Sequence, residues 1–267
     1  MTGPLAGRVV VVTRPARQSG RFTDSVRADG AQTVAFPTLV VEPLPLEPGA
    51  AQTLTGKAFD WIVYTSANAV EHCPAGAGRP GAPRVAAIGR ATARALEEAG
   101  VRVDVVPEAG ADSEALLAHP AFAGVRGARV LIVKGAGGRD ALRAGLASRG
   151  ALVSTAEVYR RIRTTPTQDA LAELETAPRR GTVVVAVTSV EVLEALLALA
   201  PVPRFAWLRD APLLLPGTRV AAAAQRLGWR GPLVVSGSAE DATMADALVR
   251  WARADDDTGD GGPPGSA

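Results

Sequence analysis

The sequence predicts an α/β protein of two related lobes, each a parallel β-sheet flanked by helices. Three observations carry that expectation. Short valine-rich runs alternate with alanine- and leucine-rich stretches along most of the chain, the pattern of buried parallel strands joined by crossover helices. The alternation occurs twice, with internal similarity. Two segments rich in proline or arginine interrupt it where a chain could pass between lobes.

Taken in order, Val9–Val12 is a continuous apolar run closed by Thr13, Arg14 and Pro15, as a strand buried on both faces requires. A helix follows over Ser19–Ala28, with Phe22 and Val26 at helical spacing and Gly30 as its stop. Thr33–Phe36 is the next strand. The same succession recurs at Trp61–Tyr64, Val85–Ile88, Val130–Val133, Val183–Val187, Leu213–Leu215 and Leu233–Val235, each leading into a helix.

Gly7–Phe36 is similar to Ala128–Ala156: strand, polar turn, helix, glycine, strand. Phe59–Val70 is similar to Gly181–Leu193: strand, Thr-Ser, helix. Each of this second pair leads to a further strand, a turn glycine (Gly89, Gly217) and an alanine-rich helix closed by Gly100 or Gly228. The order A–B–A′–B′ fits two related lobes better than one sheet. Pro37, Pro43, Pro45 and Pro48 hold the stretch around TLVVEPLPLEP extended. The second joint is the β-prone, arginine-rich Glu157–Pro166. If the first A unit pairs with the last B′ unit, these two crossings lie side by side as a hinge; spacing alone leaves that pairing open. The tail Asp255–Ala267 is acidic and rich in glycine and proline, and is expected to be disordered.

Composition excludes several classes of function. With 47% hydrophobic and 21% charged residues, the 267-residue chain is neither disordered nor collagen-like, and a net charge of +2 leaves no nucleic-acid footprint. No run approaches the roughly 20 apolar residues of a membrane span, and the four valines near the start are too few for a signal segment. Cys73 is the single cysteine, which rules out an intrachain disulfide and a cysteine metal cage. His72 and His119 are the only histidines; a zinc site would need carboxylates from distant segments. The expectation is a soluble, cytoplasmic monomer with no nucleic-acid or membrane partner and no metal.

In open α/β sheets ligands bind at the carboxyl ends of the strands. The candidates there are Thr13-Arg14, Thr65-Ser66-Ala67-Asn68, Gly89-Arg90-Ala91-Thr92, Lys134-Gly135, Thr188-Ser189 and Gly217-Thr218-Arg219. Hydroxyls at such places are commonly helix N-caps. The same turns also offer backbone N–H groups and hydroxyls to anions. Six of them facing one cleft would suit a ligand with many carboxylates or phosphates. Gly135-Ala136-Gly137-Gly138 follows a strand, and Glu157 lies about 20 residues further on, but Asp140 occupies the third glycine place of a dinucleotide fingerprint. An NAD(P)-dependent oxidoreductase is therefore one alternative, and a non-catalytic two-lobe anion-binding protein another. Phosphate-loop and Ser-His-Asp chemistry find no support. Tyr64 sits in a buried strand pattern. Tyr159 is followed by Arg160, Arg161 and Arg163. It is either a ring covering the crossing or a phenol donor beside cations that attract an acidic ligand.

Taken together, VVVTRP (Val10–Pro15), FDWIVYTSANAV (Phe59–Val70), VAAIGRATARALEEAG (Val85–Gly100), GARVLIVKGAGGRDAL (Gly127–Leu142), AEVYRR (Ala156–Arg161) and VTS (Val187–Ser189) resemble the uroporphyrinogen-III synthase family from about Gly7 to Arg253. The resemblance implies two α/β lobes joined by a two-stranded β-ladder hinge, with a flexible cleft and no cofactor. It divides the chain into lobe 1 (1–37 plus 167–254), lobe 2 (44–156) and hinge strands 38–43 and 157–166. The implied reaction cyclises hydroxymethylbilane, which carries eight carboxylates, to uroporphyrinogen III with loss of water and inversion of ring D through a spiro intermediate. Tyr159 matches the family's reactive tyrosine, and Ser66, Thr92 and Ser189 match residues lining its cleft. Where the family has a threonine two or three residues after the turn glycine, this chain has Gly217-Thr218-Arg219-Val220, so Thr218 or Arg219 takes that place. With Arg14, Ala67, Asn68, Arg90, Lys134 and Gly135, these form the expected substrate-binding set.

Overall fold

The computed structural model describes residues 3–45, 59–73, 83–108, 110–138 and 140–259. Its strands, in chain order, are β1 (Arg8–Val12), β2 (Gln32–Ala35), β3 (Leu39–Pro43), β4 (Trp61–Tyr64), β5 (Arg84–Ala87), β6 (Arg129–Gly135), β7 (Leu152–Arg163), β8 (Thr182–Ala186), β9 (Leu213–Leu215) and β10 (Leu233–Val235). The helices are α1 (Gly20–Ala28), α2 (Ala67–His72), α3 (Arg90–Glu98), α4 (Ser113–Ala118), α5 (Ala141–Ser148), α6 (Gln168–Thr176), α7 (Val190–Leu199), α8 (Thr218–Arg226) and α9 (Asp241–Gly259). The chain divides into two compact units, Met1–Val40 with Arg163–Ala267, and Val41–Ile162.

In the first unit the sheet order is β10-β9-β8-β1-β2, every neighbouring pair parallel. Strand β1 lies inside the sheet, and its alternate valines enter different cores. Val9 and Val11 pack with Val183, Val185, Leu193, Leu196 and Ala224 on one face. Val10 and Val12 pack with Phe22, Val26, Met244 and Leu248 of α1 and α9 on the other. An all-valine strand is thus the direct product of burial on both faces. The second unit repeats this logic in the order β3-β7-β6-β4-β5. Ile62 and Tyr64 face Val70, Ala93 and Leu96; Trp61 and Val63 face Leu116, Leu142 and Leu146.

The repeat has a structural counterpart. Units A and B′ build the first sheet as β2-β1-β8-β9, and A′ and B build the second as β7-β6-β4-β5. Beyond β5 a single parallel bridge, Ala86 to Val105, stands where β10 stands in the first sheet. Helices α1 and α3 end alike: Gly30 (φ 98°) and Gly100 (φ 74°) take the left-handed conformation. The next residue's N–H then reaches back to Val26 or Leu96, closing the helix in a Schellman turn that only glycine enters without strain.

The expected hinge segments differ from the observed strands. Strand β7 is one strand of 12 residues, so no break separates a lobe strand ending at Ala156 from a hinge strand starting at Glu157. Its first part pairs with β6, and Leu44 N–H donates to Val158 O at 2.9 Å on the β3 side. Thr164 N–H donates to Thr38 O at 3.1 Å, so numbers fall along one strand as they rise along the other and the pair is antiparallel. Strand β3 lies at the edge of the sheet, where Pro43 costs no ladder bond. Leu46 and Pro48 lie outside the described residues.

A second correction concerns the tail. Helix α9 runs through Asp255–Asp257 to Gly259, because the acidic residues have a cation to bind: Arg8 pairs with Asp255 at 3.0 Å and with Asp256 at 2.5 Å. Residues 260–267 lie outside the described residues. None of the described helices is long and apolar enough to cross a membrane.

Candidate functional site

The carboxyl edge of the second sheet gathers the most specific chemistry. Ser66 follows β4 in extended backbone (φ −169°) and caps α2, its Oγ accepting from Ala69 N–H at 3.1 Å. The Tyr159 hydroxyl lies 3.0 Å from the same Oγ, and Arg161 Nη2 donates to the phenol oxygen at 3.2 Å. Arg161 reaches the phenol because alternate residues of a strand share a face. Its guanidinium carbon lies 5.6 Å from the ring centroid, and the His72 ring is 5.9 Å away.

A local irregularity aims Tyr159. Register shifts between Lys134 and Gly135: Lys134 pairs with Glu157, but Gly135 pairs with Tyr159. The extra residue is Val158, and such a bulge re-aims the side chains that follow. Val158 and Tyr159, although consecutive, both enter the cluster of Tyr64, Val133 and Ala156. Tyr159 is 1% exposed. Its ring lies against Gly135, where an added Cβ would stand 2.5 Å from Tyr159 Cζ and 2.9 Å from its hydroxyl. Gly135 is therefore the seat of the tyrosine.

Other candidates on this edge are more ordinary. Ala67 is exposed and Asn68 half-buried on the first turn of α2. Arg90 is exposed at the start of α3, whereas Thr92 is 3% exposed. Lys134 is half-buried, and its charge helps Arg143 hold the Asp140 carboxyl below its ordinary range. Gly137 N–H in the glycine turn donates to Glu157 Oε1 at 3.3 Å, so a carboxylate of β7 ties down that turn. Thr65 Oγ1 donates to Val133 O at 3.2 Å and stitches neighbouring strand ends.

On the first sheet, Ser189 caps α7 through Val192 N–H at 3.2 Å, in nearly the backbone conformation of Ser66. Gly89 and Gly217 begin α3 and α8 in matching extended conformations. Thr218 and Arg219 are exposed on the first turn of α8. Arg14 is engaged: its guanidinium pairs with Asp241, donates to Ala239 O at 2.7 Å and lies over Phe22. It ties β1 to the start of α9, and a substrate carboxylate would have to compete for it. Thr13 donates to Ala186 O at 2.6 Å.

Sequence reasoning omitted two neighbours of Tyr159 from the expected set. Arg161 was readable from strand alternation; His72 was not, since nothing in the sequence turns the end of α2 toward β7. Tyr64 is core, as expected, with its hydroxyl donating to Cys73 O at 2.9 Å. Cys73 is buried, and burial pushes its thiol up. Among the described residues no group of three or more His, Cys, Asp and Glu could hold a metal ion.

Known proteins resemble this chain over most of its length. Residues 20–246 match the family model described as uroporphyrinogen-III synthase HemD. The uroporphyrinogen-III synthase of Salmonella typhimurium is 33% identical over 242 residues, covering 88% of this chain and 98% of that protein. That of Escherichia coli is 31% identical with the same coverage. Among solved structures, a mutant uroporphyrinogen III synthase of Thermus thermophilus aligns with a TM-score of 0.59 at 24% identity, over 94% of this chain and 100% of that one. The Helicobacter pylori enzyme aligns with the same score at 15% identity, over 92% and 99%. These structures share its α/β fold of mostly parallel strands flanked by helices. A family model spanning most of the chain and relatives matched almost end to end place it: the chain belongs to the uroporphyrinogen-III synthase family.

Proposed function

We propose that the carboxyl edge of the second unit's sheet, centred on Tyr159, is where this chain performs the family's reaction. The activity is that of a uroporphyrinogen-III synthase, a cyclising lyase of porphyrin and heme biosynthesis. It closes hydroxymethylbilane to uroporphyrinogen III with loss of water. The bilane also closes unaided to the symmetric type I isomer, so the catalyst's task is regiochemical as well as kinetic.

One observation carries the assignment of the site: a buried phenol held between a guanidinium and a helix-capping hydroxyl. Hydroxide leaves the hydroxymethyl group of ring A with help from a proton of this network. A hydroxyl of this network can supply that proton as a general acid. The azafulvenium cation formed is attacked by the substituted α-carbon of ring D, and the spiro pyrrolenine fragments and recloses with ring D inverted. Holding the substrate is the work of the strand-end turns. We assign its carboxylates to Ala67, Asn68, Arg90, Thr92, Lys134 and Gly135 in one unit, and to Arg14, Ser189, Thr218 and Arg219 in the other, while Ser66 meets the substrate beside Tyr159 at its hydroxymethyl end. Arg90 and Arg219 are exposed cations on first helical turns, which supports their share. Strands β3 and β7, in which the chain passes between units, serve as the hinge. The same reading has a cytoplasmic monomer acting on one small molecule without a cofactor.

The test is a coupled assay with fresh hydroxymethylbilane, oxidation of the product and chromatographic separation of uroporphyrin I from III. Type III should dominate. Type I alone, at the enzyme-free rate, would overturn the reading. Tyr159→Phe should slow type III formation without abolishing it, because the acceleration is spread over many contacts.

A further inference from the structure

Tyr159 is buried, yet a proton donor must meet its acceptor. The hydrogens of the network can be counted. The phenol oxygen carries one hydrogen and accepts from Arg161. The Ser66 oxygen carries one hydrogen and accepts from Ala69 N–H. Among the described residues, the side-chain partners of the phenol are Ser66 and Arg161. Arg161 has no acceptor to offer, so the phenol hydrogen points to Ser66 Oγ. Ser66, half-buried at the sheet edge, is left with its own hydrogen to give away. The first unit lacks this device. Matching the pairs Val12–Ala35 and Val133–Ala156 sets Thr38 in the place of Tyr159. Its hydroxyl is buried and spent on the Thr13 carbonyl at 3.3 Å.

We propose that Ser66 Oγ–H is the group that protonates the leaving hydroxyl, with Tyr159 as the positioning and proton-resupplying residue behind it and Arg161 behind Tyr159. The inference rests on the functional reading above and names the donor within that site. The Ser66 proton passes to the hydroxyl oxygen on ring A. The C–O bond breaks, its electron pair leaves with the oxygen as water, and the pyrrole nitrogen lone pair completes the azafulvenium. Ser66 Oγ takes the Tyr159 proton, leaving a phenolate beside the Arg161 guanidinium. The proton shed when the last pyrrole regains aromaticity restores the phenol, so one water is lost overall.

The experiment compares kcat and KM for type III formation in Ser66→Ala, Ser66→Asn, Ser66→Thr, Tyr159→Phe and the Ser66→Ala/Tyr159→Phe pair. Asparagine retains the helix cap without a hydroxyl, and urea unfolding checks that each variant is folded. Loss of the Ser66 hydroxyl should lower kcat by roughly 10²-fold with KM little changed, and threonine should restore it. The double variant should be no slower than the slower single, because the two hydroxyls act in series. Wild-type kcat in Ser66→Asn alongside a slowed Tyr159→Phe would overturn the relay, as would an effect confined to KM or a multiplicative double variant. Those results would leave the synthase reading standing; that reading fails only if the wild-type protein yields type I alone.

Discussion

Gly135 sets the position of Tyr159 by having no side chain. An added Cβ would lie 2.5–2.9 Å from the far end of a ring that is itself buried, so the ring must move and break its 3.0 Å contact with Ser66. Gly135→Ala should therefore cost about 1–3 kcal/mol of stability, as overpacking does, read from the urea midpoint. Type III formation should fall about as far as in Tyr159→Phe. Full activity in the alanine variant would mean that the ring does not need its seat. At this scale the sequence was partly readable. Tyr159 stood out as one of two tyrosines beside a run of arginines, and Ser66 and Ser189 as hydroxyls at helix starts. That Gly135 also seats the tyrosine was not readable, because it depends on a one-residue register shift between strands, and register is set by tertiary pairing.

Among the elements, α9 shows how distant charge decides a boundary. Its last turns carry Asp255 and Asp256 to Arg8, whose guanidinium also donates to Thr182 and lies over Trp251. Arg8 is 9% exposed, and its Nε has no partner among the described residues, so the remaining bonds matter more. The Asp255→Asn/Asp256→Asn double variant should lose about 1–3 kcal/mol, the cost of stripping charged partners from a largely buried cation. An unchanged urea midpoint would show that the acidic turns do not hold Arg8. Composition alone predicted disorder here, and composition carries no information about a partner nearly the whole chain away. The strands were easier. Val9–Val12, Trp61–Tyr64 and Leu213–Leu215 are apolar on both faces, so their existence did not depend on knowing their neighbours.

For the molecule as a whole, surface carboxylates paired with arginines set the response to acid. Asp210 beside Arg230 and Glu175 beside Arg204 in the first unit are held below their ordinary range, chiefly by the arginine side-chain hydrogen bond. Asp140 beside Arg143 in the second is held down in the same way, and Asp60 by the backbone N–H of Arg129. A carboxylate with a lower pKa folded than unfolded adds stability above the unfolded value, and that contribution is lost as pH falls through the folded one. The urea midpoint should be nearly flat from about pH 8 to 5 and fall below about pH 4, less steeply in high salt. A midpoint that rises on acidification would contradict this sign. The two-unit architecture was legible because the chain repeats itself. Which repeat pairs with which was not, since A could have paired with either B, and the sheet orders decide it.

That pairing also fixes an order of birth. The second unit is one uninterrupted stretch, whereas β1 waits for β8, as the bond from Arg8 to Thr182, 174 residues apart, illustrates. A chain leaving the ribosome can complete the second unit while the first still lacks its central neighbour. Once the second unit has formed, antiparallel β3 and β7 bring the two loose ends together, and most of the loop-closure entropy of joining β1 to β8 has already been met. Chains arrested beyond Ile162 should therefore show protected amides in β4 and β6 and exchanging ones in β1. Protection of β1 before β8 has emerged would contradict that sequence of events.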